Sequence, residues 1–243
     1  MLQPASAKRL SSETAARYAV YFAPTPGGPL ERFGAAWLGR DAATGAALAQ
    51  PALAGIDPGR LAAITEAPRH YGFHATLKPP FALSPQHGAA DLLAAVAAFA
   101  NRQAPVVAPP LTLGRLDGFL ALVLAAPSDG VGSLAAACVA AFEGFRAPAS
   151  AEDMARREAA GLSPRQRALL HRWGYPYVIE EYRFHMTLTG RIDAAESDTV
   201  AAALAPLAAA LCRDPLIIDA LSVFVQGDRS QPFRLAARYP LTG

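Results

Sequence analysis

Residues 71–77 read YGFHATL, and residues 182–188 read YRFHMTL. Five of the seven positions are identical, and each copy lies at the same place in a strand–helix–strand–strand pattern. Side chains alternate between the two faces of a strand, so the histidine and the threonine of each copy share one face. The duplication therefore predicts two strands that each bury an apolar stripe and present an imidazole beside a hydroxyl.

The polar side chains of the two copies are His74 and Thr76, and His185 and Thr187. If two halves of the chain pair about a pseudo-two-fold axis, these side chains converge on one cleft. An imidazole that titrates near neutral pH can act as a general base or acid, and hydroxyls can donate to the oxygens of a phosphoryl group. The repeat predicts phosphodiester chemistry with catalytic histidines, substrate-binding threonines and no metal or other cofactor. It leaves open which histidine is the base.

The rest of the chain alternates between strand and helix patterns. Strands are predicted at 17–23, 71–77, 111–115, 119–124, 184–189, 216–225 and 233–239. Helices are predicted at 29–40, 89–100, 134–145, 165–172 and 196–211. A loop is predicted around four breaking residues, Gly45, Pro51, Gly55 and Pro58.

This order indicates an α/β (α+β) fold of two pseudo-symmetric lobes, each with a mainly antiparallel sheet and helices on its outer face. Residues 1–16 are predicted to form a flexible leader, and residues 17–243 a single two-lobed domain. A helical insertion at about 148–182, richer in charge than its surroundings, lies between the two copies of the motif.

The composition excludes several classes of protein. With 22 Lys and Arg against 20 Asp and Glu, the net charge of +2 does not favour binding to long nucleic acid. The 52% hydrophobic content excludes disorder as the main state. Apolar runs at 94–100 and 200–212 are shorter than the ~20 residues of a membrane span, and no secretory signal is recognised. We predict a cytoplasmic protein that acts on a small phosphorylated substrate, with no membrane partner; its oligomeric state is left open.

Other candidate site residues each have two interpretations. Lys78 continues the polar face of the first copy and either binds an anionic substrate or lies solvated at a strand end. Trp173 and Tyr175 either stack on the substrate or hold the insertion in place. Tyr71 and Tyr182 fall on the core-side face, where packing is the favoured interpretation; the alternative is that a tyrosine hydroxyl at the start of a strand reaches the rim of the cleft.

Two arginines and a third histidine are further candidate site residues. Arg146 and Arg172 could clamp a phosphate, but an ordinary surface position is the favoured interpretation. His70 lies four residues before the first motif histidine, a spacing of helical metal ligands, but Pro68 and Gly72 are predicted to prevent a helix there. No metal site is therefore predicted.

The paired motifs resemble the two-histidine (2H) phosphoesterase superfamily, whose signature is a duplicated His-hydrophobic-Ser/Thr-hydrophobic pattern. That resemblance implies two α/β lobes flanking a cleft and cyclic phosphodiesters of nucleotides or RNA ends as substrates. Residues 17–24 (RYAVYFAP), 37–41 (WLGRD), 71–78 and 172–177 (RWGYPY) are further similar to a branch often encoded in phosphonate-utilisation operons. This closer resemblance implies a role linked to phosphonate metabolism.

Three functions follow as hypotheses. The first is a metal-independent phosphodiesterase that hydrolyses a small cyclic phosphodiester of a nucleotide or ribose. The second is a binding module that holds a nucleotide, an RNA end or a phosphosugar on the same scaffold without turnover. The third is ligation of RNA ends, which would require an extended basic surface that the net charge of +2 does not indicate.

Overall fold

The computed structural model describes residues 16–159 and 161–243. In this part of the chain the strands are β1 Arg17–Phe22, β2 Ala75–Ala82, β3 Val106–Leu116, β4 Phe119–Leu124, β5 His185–Thr187, β6 Pro215–Ile218, β7 Ala220–Gln226 and β8 Arg234–Pro240. The α-helices are α1 Pro29–Leu38, α2 Pro58–Tyr71, α3 Ala89–Ala100, α4 Asp129–Ala141, α5 Ala151–Glu158, α6 Pro164–Trp173 and α7 Ala194–Leu211. The predicted leader lies almost wholly outside the described residues.

The described strands form one antiparallel sheet in the order β6-β3-β4-β5-β2-β1-β7-β8. A core on one face of this sheet takes residues from α1, α2, α3, α4 and α7. A smaller apolar cluster, which includes Tyr21, Phe224 and Phe233, comes from alternate positions of β1 and from the β7–β8 region. The mixed α/β class with an antiparallel sheet is confirmed.

The two halves of the sheet are interleaved in sequence. Strands β3 and β4 follow the first copy of the motif along the chain but pair with β6 and β5, on the side of the second copy. Strands β7 and β8 follow the second copy but extend the sheet beyond β1, on the side of the first. The single strand predicted at 216–225 is divided at Asp219, where β6 ends at one edge and β7 begins in the other half.

Helix α2 corrects the prediction that residues before the first motif form a loop and that Pro68 prevents a helix. Asp57 caps the amino end of the helix, because its side chain accepts a hydrogen bond from the Arg60 amide. Pro58 occupies the first helical position. Pro68 cannot donate to the carbonyl of Ile64, and the Gly190 amide donates to that carbonyl instead, at 2.6 Å. The missing helical bond is thereby replaced by a link to the end of the second motif.

Strand β2 also departs from the prediction, because it begins four residues later than expected and runs through Pro79 and Pro80. Its partner β5 has only three residues and pairs with β2 at Ala75 alone. Beyond that pair, β2 forms no backbone hydrogen bonds with β5 within the described residues. Proline, which lacks a backbone N–H, is therefore tolerated on that side of β2.

The insertion is helical, as predicted, and packs on the rest of the molecule. It contains α5 and α6. Asp153 of α5 forms an ion pair at 2.9 Å with Arg229, which follows β7. Helix α7 is longer than predicted and, within the described residues, is long and apolar enough to cross a membrane by length and composition. Because its residues Val200 and Leu204 are buried in the sheet-facing core, we interpret α7 as a core helix.

Candidate active site

The two motif strands are neighbours in the middle of the sheet. Strand β2 pairs with β5 in antiparallel register, with Ala75 opposite Met186. Continuing this register by one residue in each direction places His74 opposite Thr187 and Thr76 opposite His185. The four polar side chains therefore share one face of the sheet, and the pseudo-two-fold axis passes through the central pair.

Burial confirms the predicted alternation within the motifs. The apolar side chains of the two copies are at most 7% exposed: Phe73, Ala75, Leu77, Phe184, Met186 and Leu188. The motif histidines and threonines are half-buried. Trp37 of α1 holds the end of the second motif, because its indole N–H donates to the carbonyl of Leu188 at 2.7 Å. The helix-covered face and the polar face are thus separated as the sequence predicts.

The two histidine rings are oriented by the same local contact. Nδ1 of His74 lies 2.8 Å from the carbonyl oxygen of Gly72, and Nδ1 of His185 lies 2.8 Å from the carbonyl oxygen of Arg183. A carbonyl can only accept, so each Nδ1 carries the proton and donates it. In the neutral ring this leaves the lone pair on Nε2, the nitrogen that remains for a substrate.

Gly72 makes this arrangement possible in the first copy. It ends α2 with a φ of 84°, in the left-handed region that favours glycine. A Cβ at this position would lie 2.9 Å from Cβ of Ala42. A side chain is therefore excluded at the residue whose carbonyl orients the imidazole.

The environment of His74 keeps its imidazole neutral. Burial is the largest influence and lowers the pKa of His74, the bond to the Gly72 carbonyl raises it, and the nearby His185 lowers it; the net result is a pKa of about 4. Tyr21 stacks on the ring with centroids 3.8 Å apart. Nε2 of His74 lies 3.3 Å from the hydroxyl oxygen of Thr76, which donates to it when the ring is neutral.

Lys78 does not join this face, which corrects the prediction that it could contact an anionic substrate or lie solvated. The register between β1 and β2 shifts by one residue between Thr76 and Lys78, so the strand carries a bulge. The bulge turns Lys78 toward α4, where it is 1% exposed. Its ammonium group donates to the carbonyl of Val139 at 3.0 Å and to Glu143 at 2.9 Å.

The two aromatic candidates of the insertion separate. Trp173 packs in a small apolar cluster with Val139, Leu169 and Val178, so its side chain holds the insertion against α4. Tyr175 packs against the same cluster, and the guanidinium group of Arg157 lies 5.2 Å from the centre of its ring.

The arginine candidates from the sequence have structural partners. Arg146 forms an ion pair with Glu143 at 2.6 Å, and Arg172 lies over the Trp173 ring at 4.7 Å. Neither is held at the motif face. His70 lies within α2 and contacts the amide of Gln226 at 2.7 Å. Within residues 16–159 and 161–243, no group of three or more potential ligands could hold a metal ion.

Sequence reasoning missed the aromatic and cationic wall beside His74. Besides Tyr21, this wall contains Tyr71, whose ring is 6.2 Å from that of His74, and Arg17, which lies over Phe233 at 5.3 Å. The favoured prediction that Tyr71 packs in the core is wrong, because this residue ends α2 and is 37% exposed. The sequence signal for this wall is the alternation along β1, which places Arg17, Ala19 and Tyr21 on one face of the strand.

A cleft of about 850 Å³ lies beside β5 and is lined in part by Tyr182, Arg183 and Phe184. Neither motif histidine lines it. The Tyr182 hydroxyl is buried without a hydrogen-bond partner among the described residues, and burial raises the pKa of this phenol. Tyr182 therefore packs inside, as the sequence predicts, and the cleft is separate from the motif face.

Comparison with known proteins identifies relatives of the whole chain. A family model described as "Protein of unknown function (DUF1045)" matches residues 76–234. A Janthinobacterium sp. (strain Marseille) protein named "Ribose 1,5-bisphosphate phosphokinase PhnN" is 41% identical over 244 residues, covering 99% of this chain and 54% of that protein. A Laribacter hongkongensis (strain HLHK9) protein of the same name is 37% identical over 221 residues, covering 90% of this chain and 50% of that protein. The chain thus spans about half the length of the curated relatives that it matches.

Among solved structures, the chain is similar to E. coli LigT complexed with 3'-AMP. The TM-score is 0.40 and the sequence identity 13%, over 94% of this chain and 99% of that one.

Proposed function

We propose that this chain, which belongs to the DUF1045 family, is a metal-independent phosphodiesterase that hydrolyses a small cyclic phosphodiester. The observation that carries the proposal is the arrangement of the duplicated motif. Two imidazoles, each with Nδ1 bound to a backbone carbonyl, share one face of adjacent strands with two threonine hydroxyls. A base, an acid and two donors are the groups that phosphodiester hydrolysis requires.

The asymmetry between the histidines assigns their roles. Because its pKa is lowered to about 4, His74 is neutral near pH 7 and accepts a proton on Nε2. It removes that proton from a water molecule, whose oxygen forms the new bond to phosphorus. His185, protonated on Nε2, donates its proton to the leaving oxygen as the old P–O bond breaks. The product is a phosphomonoester, and solvent returns each histidine to its starting state.

The threonines complete the mechanism as donors to the phosphoryl oxygens. Thr76 lies 3.3 Å from Nε2 of His74, a long contact that a bound substrate can replace. Thr187 occupies the equivalent place in β5. Hydroxyls aimed at the non-bridging oxygens stabilise the charge that develops in the transition state.

The names of the relatives favour a phosphorylated ribose as the substrate. They are named for a kinase of ribose 1,5-bisphosphate, yet the matching region is only about half of each, and this sequence contains no Walker pattern. When water attacks the phosphorus of a cyclic phosphate that bridges O1 and O2 of ribose 5-phosphate, and the P–O2 bond breaks, the product is ribose 1,5-bisphosphate. We infer that this half supplies the compound for which the relatives are named, and that the link to phosphonate metabolism lies in this step.

The test is a screen of phosphodiesters followed by ³¹P NMR. It compares ribose 5-phosphate 1,2-cyclic phosphate, nucleoside 2′,3′-cyclic phosphates and linear RNA. His74→Ala and His185→Ala should each lower kcat/KM by about 10²–10⁴. His171→Ala, an exposed histidine paired with Glu158, is the matched control. Turnover should survive EDTA. Near-normal turnover in either motif variant would overturn the mechanism.

Two other functions would give different results, each in its own assay. Binding of a cyclic phosphate by calorimetry, with no product after long incubation, would identify a binding module on this scaffold. Phosphorylation of ribose 1,5-bisphosphate by ATP would assign the relatives' kinase activity to this half. We expect neither outcome, because both histidines and both threonines are present and oriented.

A further inference from the structure

Two arginines beside the motif face form no ion pair within the described part of the chain. Arg17 begins β1, Arg157 lies in α5, and both are half-buried. Among residues 16–159 and 161–243, no carboxylate lies within ion-pair distance of either. The nearby Arg156 and Arg229, by contrast, both pair with Asp153. Two positive charges are therefore uncompensated by direct contact in a partly desolvated place.

Neutral groups hold both guanidinium groups in position. Arg17 donates from Nε at 2.7 Å and from Nη2 at 2.5 Å to the amide oxygen of Gln226. Gln226 is 1% exposed and is itself fixed by a bond to the carbonyl of Gln231 at 2.7 Å. Arg157 donates to the carbonyl of Gly174 at 2.9 Å. These acceptors orient the arginines without neutralising them, as a preformed anion site requires.

Both arginines lie near Tyr71. Arg17 lies 5.3 Å from the centre of the Phe233 ring, which stacks on the Tyr71 ring with centroids 5.3 Å apart. Tyr71 is also among the groups that raise the pKa of Arg157, against the larger effect of burial. Tyr71 lies 6.2 Å from His74 between ring centroids, and Arg157 lies 5.2 Å from the Tyr175 ring. The arginines thus border the site on the side of His74.

The side of His185 differs. Its ring contacts Phe119, at 5.9 Å, and the neighbouring strand β4 reads FLALVL, with no charged residue. Strand β4 therefore supplies no cationic group on the side of His185. The pseudo-symmetry of the motifs is not extended to their surroundings.

We propose that Arg17 and Arg157, with the hydroxyls of Tyr71 and Tyr175, bind a second anionic group of the substrate, a phosphomonoester remote from the reacting phosphorus. This inference rests on the proposed function and adds to it the residues that select the substrate. Guanidinium groups are suited to this task because they donate several hydrogen bonds to phosphate oxygens. Burial lowers the pKa of both arginines, which means that their charged form is partly desolvated. A bound anion would offset this free-energy cost of burying positive charge.

The kinetic test compares two substrates that differ only in the second phosphate. These are ribose 5-phosphate 1,2-cyclic phosphate and ribose 1,2-cyclic phosphate. Arg17→Met and Arg157→Met should lower kcat/KM for the first at least tenfold more than for the second. Arg165→Met removes an exposed arginine paired with Glu180 and is the matched control. Equal losses for both substrates would overturn the proposal, because they would indicate that the arginines only support the fold.

A binding test separates this inference from the proposed function. Ribose 5-phosphate is titrated calorimetrically into the His74→Ala/His185→Ala variant, with ribose as the reference ligand. We expect binding of ribose 5-phosphate that weakens at least tenfold when Arg17→Met or Arg157→Met is added. If the wild-type protein hydrolyses neither cyclic phosphate but this binding pattern holds, the hydrolase proposal fails and the anion site stands. Binding that is unchanged by both arginine variants would contradict the anion site, whatever the activity.

Discussion

The two copies of the motif have the same internal geometry but different surroundings. In each, Nδ1 of the histidine lies 2.8 Å from the carbonyl oxygen two residues before it. His74, however, is stacked on Tyr21 at 3.8 Å, whereas His185 meets Phe119 in a tilted arrangement at 5.9 Å. The duplicated residues determine where the reactive nitrogens lie. The unduplicated neighbours differ, and burial among them lowers the pKa of His74.

The threonines test whether the two copies contribute equally to binding the phosphoryl oxygens. Thr76→Val and Thr187→Val each remove one donor while keeping the β-branched shape. Each should lower kcat/KM by about 10²–10³, the cost of one donor to a developing oxyanion. The measurement is steady-state hydrolysis of the cyclic phosphate. A full loss in one variant and no change in the other would show that the copies do not act as a pair.

Substitutions at the two residues whose carbonyls bind Nδ1 test how the histidine rings are oriented. Gly72→Ala should lower kcat/KM by about 10–100-fold, because the new Cβ lies 2.9 Å from Ala42 and the φ of 84° is strained for alanine. The matched variant is Arg183→Ala, which keeps the carbonyl bonded to His185 and should change kcat/KM by less than about threefold. Equal effects would contradict the distinct roles of the two positions.

The pH dependence tests the asymmetry in protonation. As the base, His74 must be neutral, and its pKa is lowered to about 4. Hydrolysis should therefore remain high as pH falls through 6 and decline only near pH 4, measured as kcat/KM with circular dichroism as a check on folding. An acid limb near the ordinary histidine value of about 6.5 would contradict this assignment.

Lys78 gives the smallest expected change in activity. Lys78→Met should change kcat/KM by less than about threefold, because the ammonium group is turned away from the motif face. It should lower the free energy of unfolding by roughly 1–3 kcal/mol, because the buried carbonyl of Val139 loses its donor. Urea denaturation and steady-state kinetics measure the two effects. A selective loss of activity would return Lys78 to the site.

The sequence predicted the polar face of the two motifs but not the bulge and the helix that border it. Period-two alternation succeeded from Phe73 to Leu77 because one face of that segment is buried throughout. It failed at Lys78 because a bulge, which leaves no signature in the residue pattern, turns the side chain to the other face. Helix α2 was missed because Pro68 breaks the local pattern, and the bond that compensates it comes from Gly190.

The topology and the anion site were beyond local patterns for a different reason. The predicted strand at 216–225 is apolar throughout, and nothing in its pattern shows that Asp219 sends its two parts to opposite halves of the sheet. Arg17 and Arg157 are far apart in sequence, and α5 is tied to the segment after β7 by the ion pair between Asp153 and Arg229, a tertiary contact that no local pattern reports. Periodicity reports which face a residue occupies, whereas neighbours across the fold depend on tertiary pairing.

The division of labour between the histidines is tested most directly by changing the leaving group. Hydrolysis of a p-nitrophenyl phosphodiester is compared with that of the cyclic phosphate for wild type, His74→Ala and His185→Ala. Nitrophenolate leaves without protonation, so we predict that the loss in His185→Ala shrinks to less than about tenfold, while His74→Ala keeps a loss of at least about a hundredfold. Rescue of His74→Ala instead, or of neither variant, would contradict the assignment of His74 as base and His185 as acid.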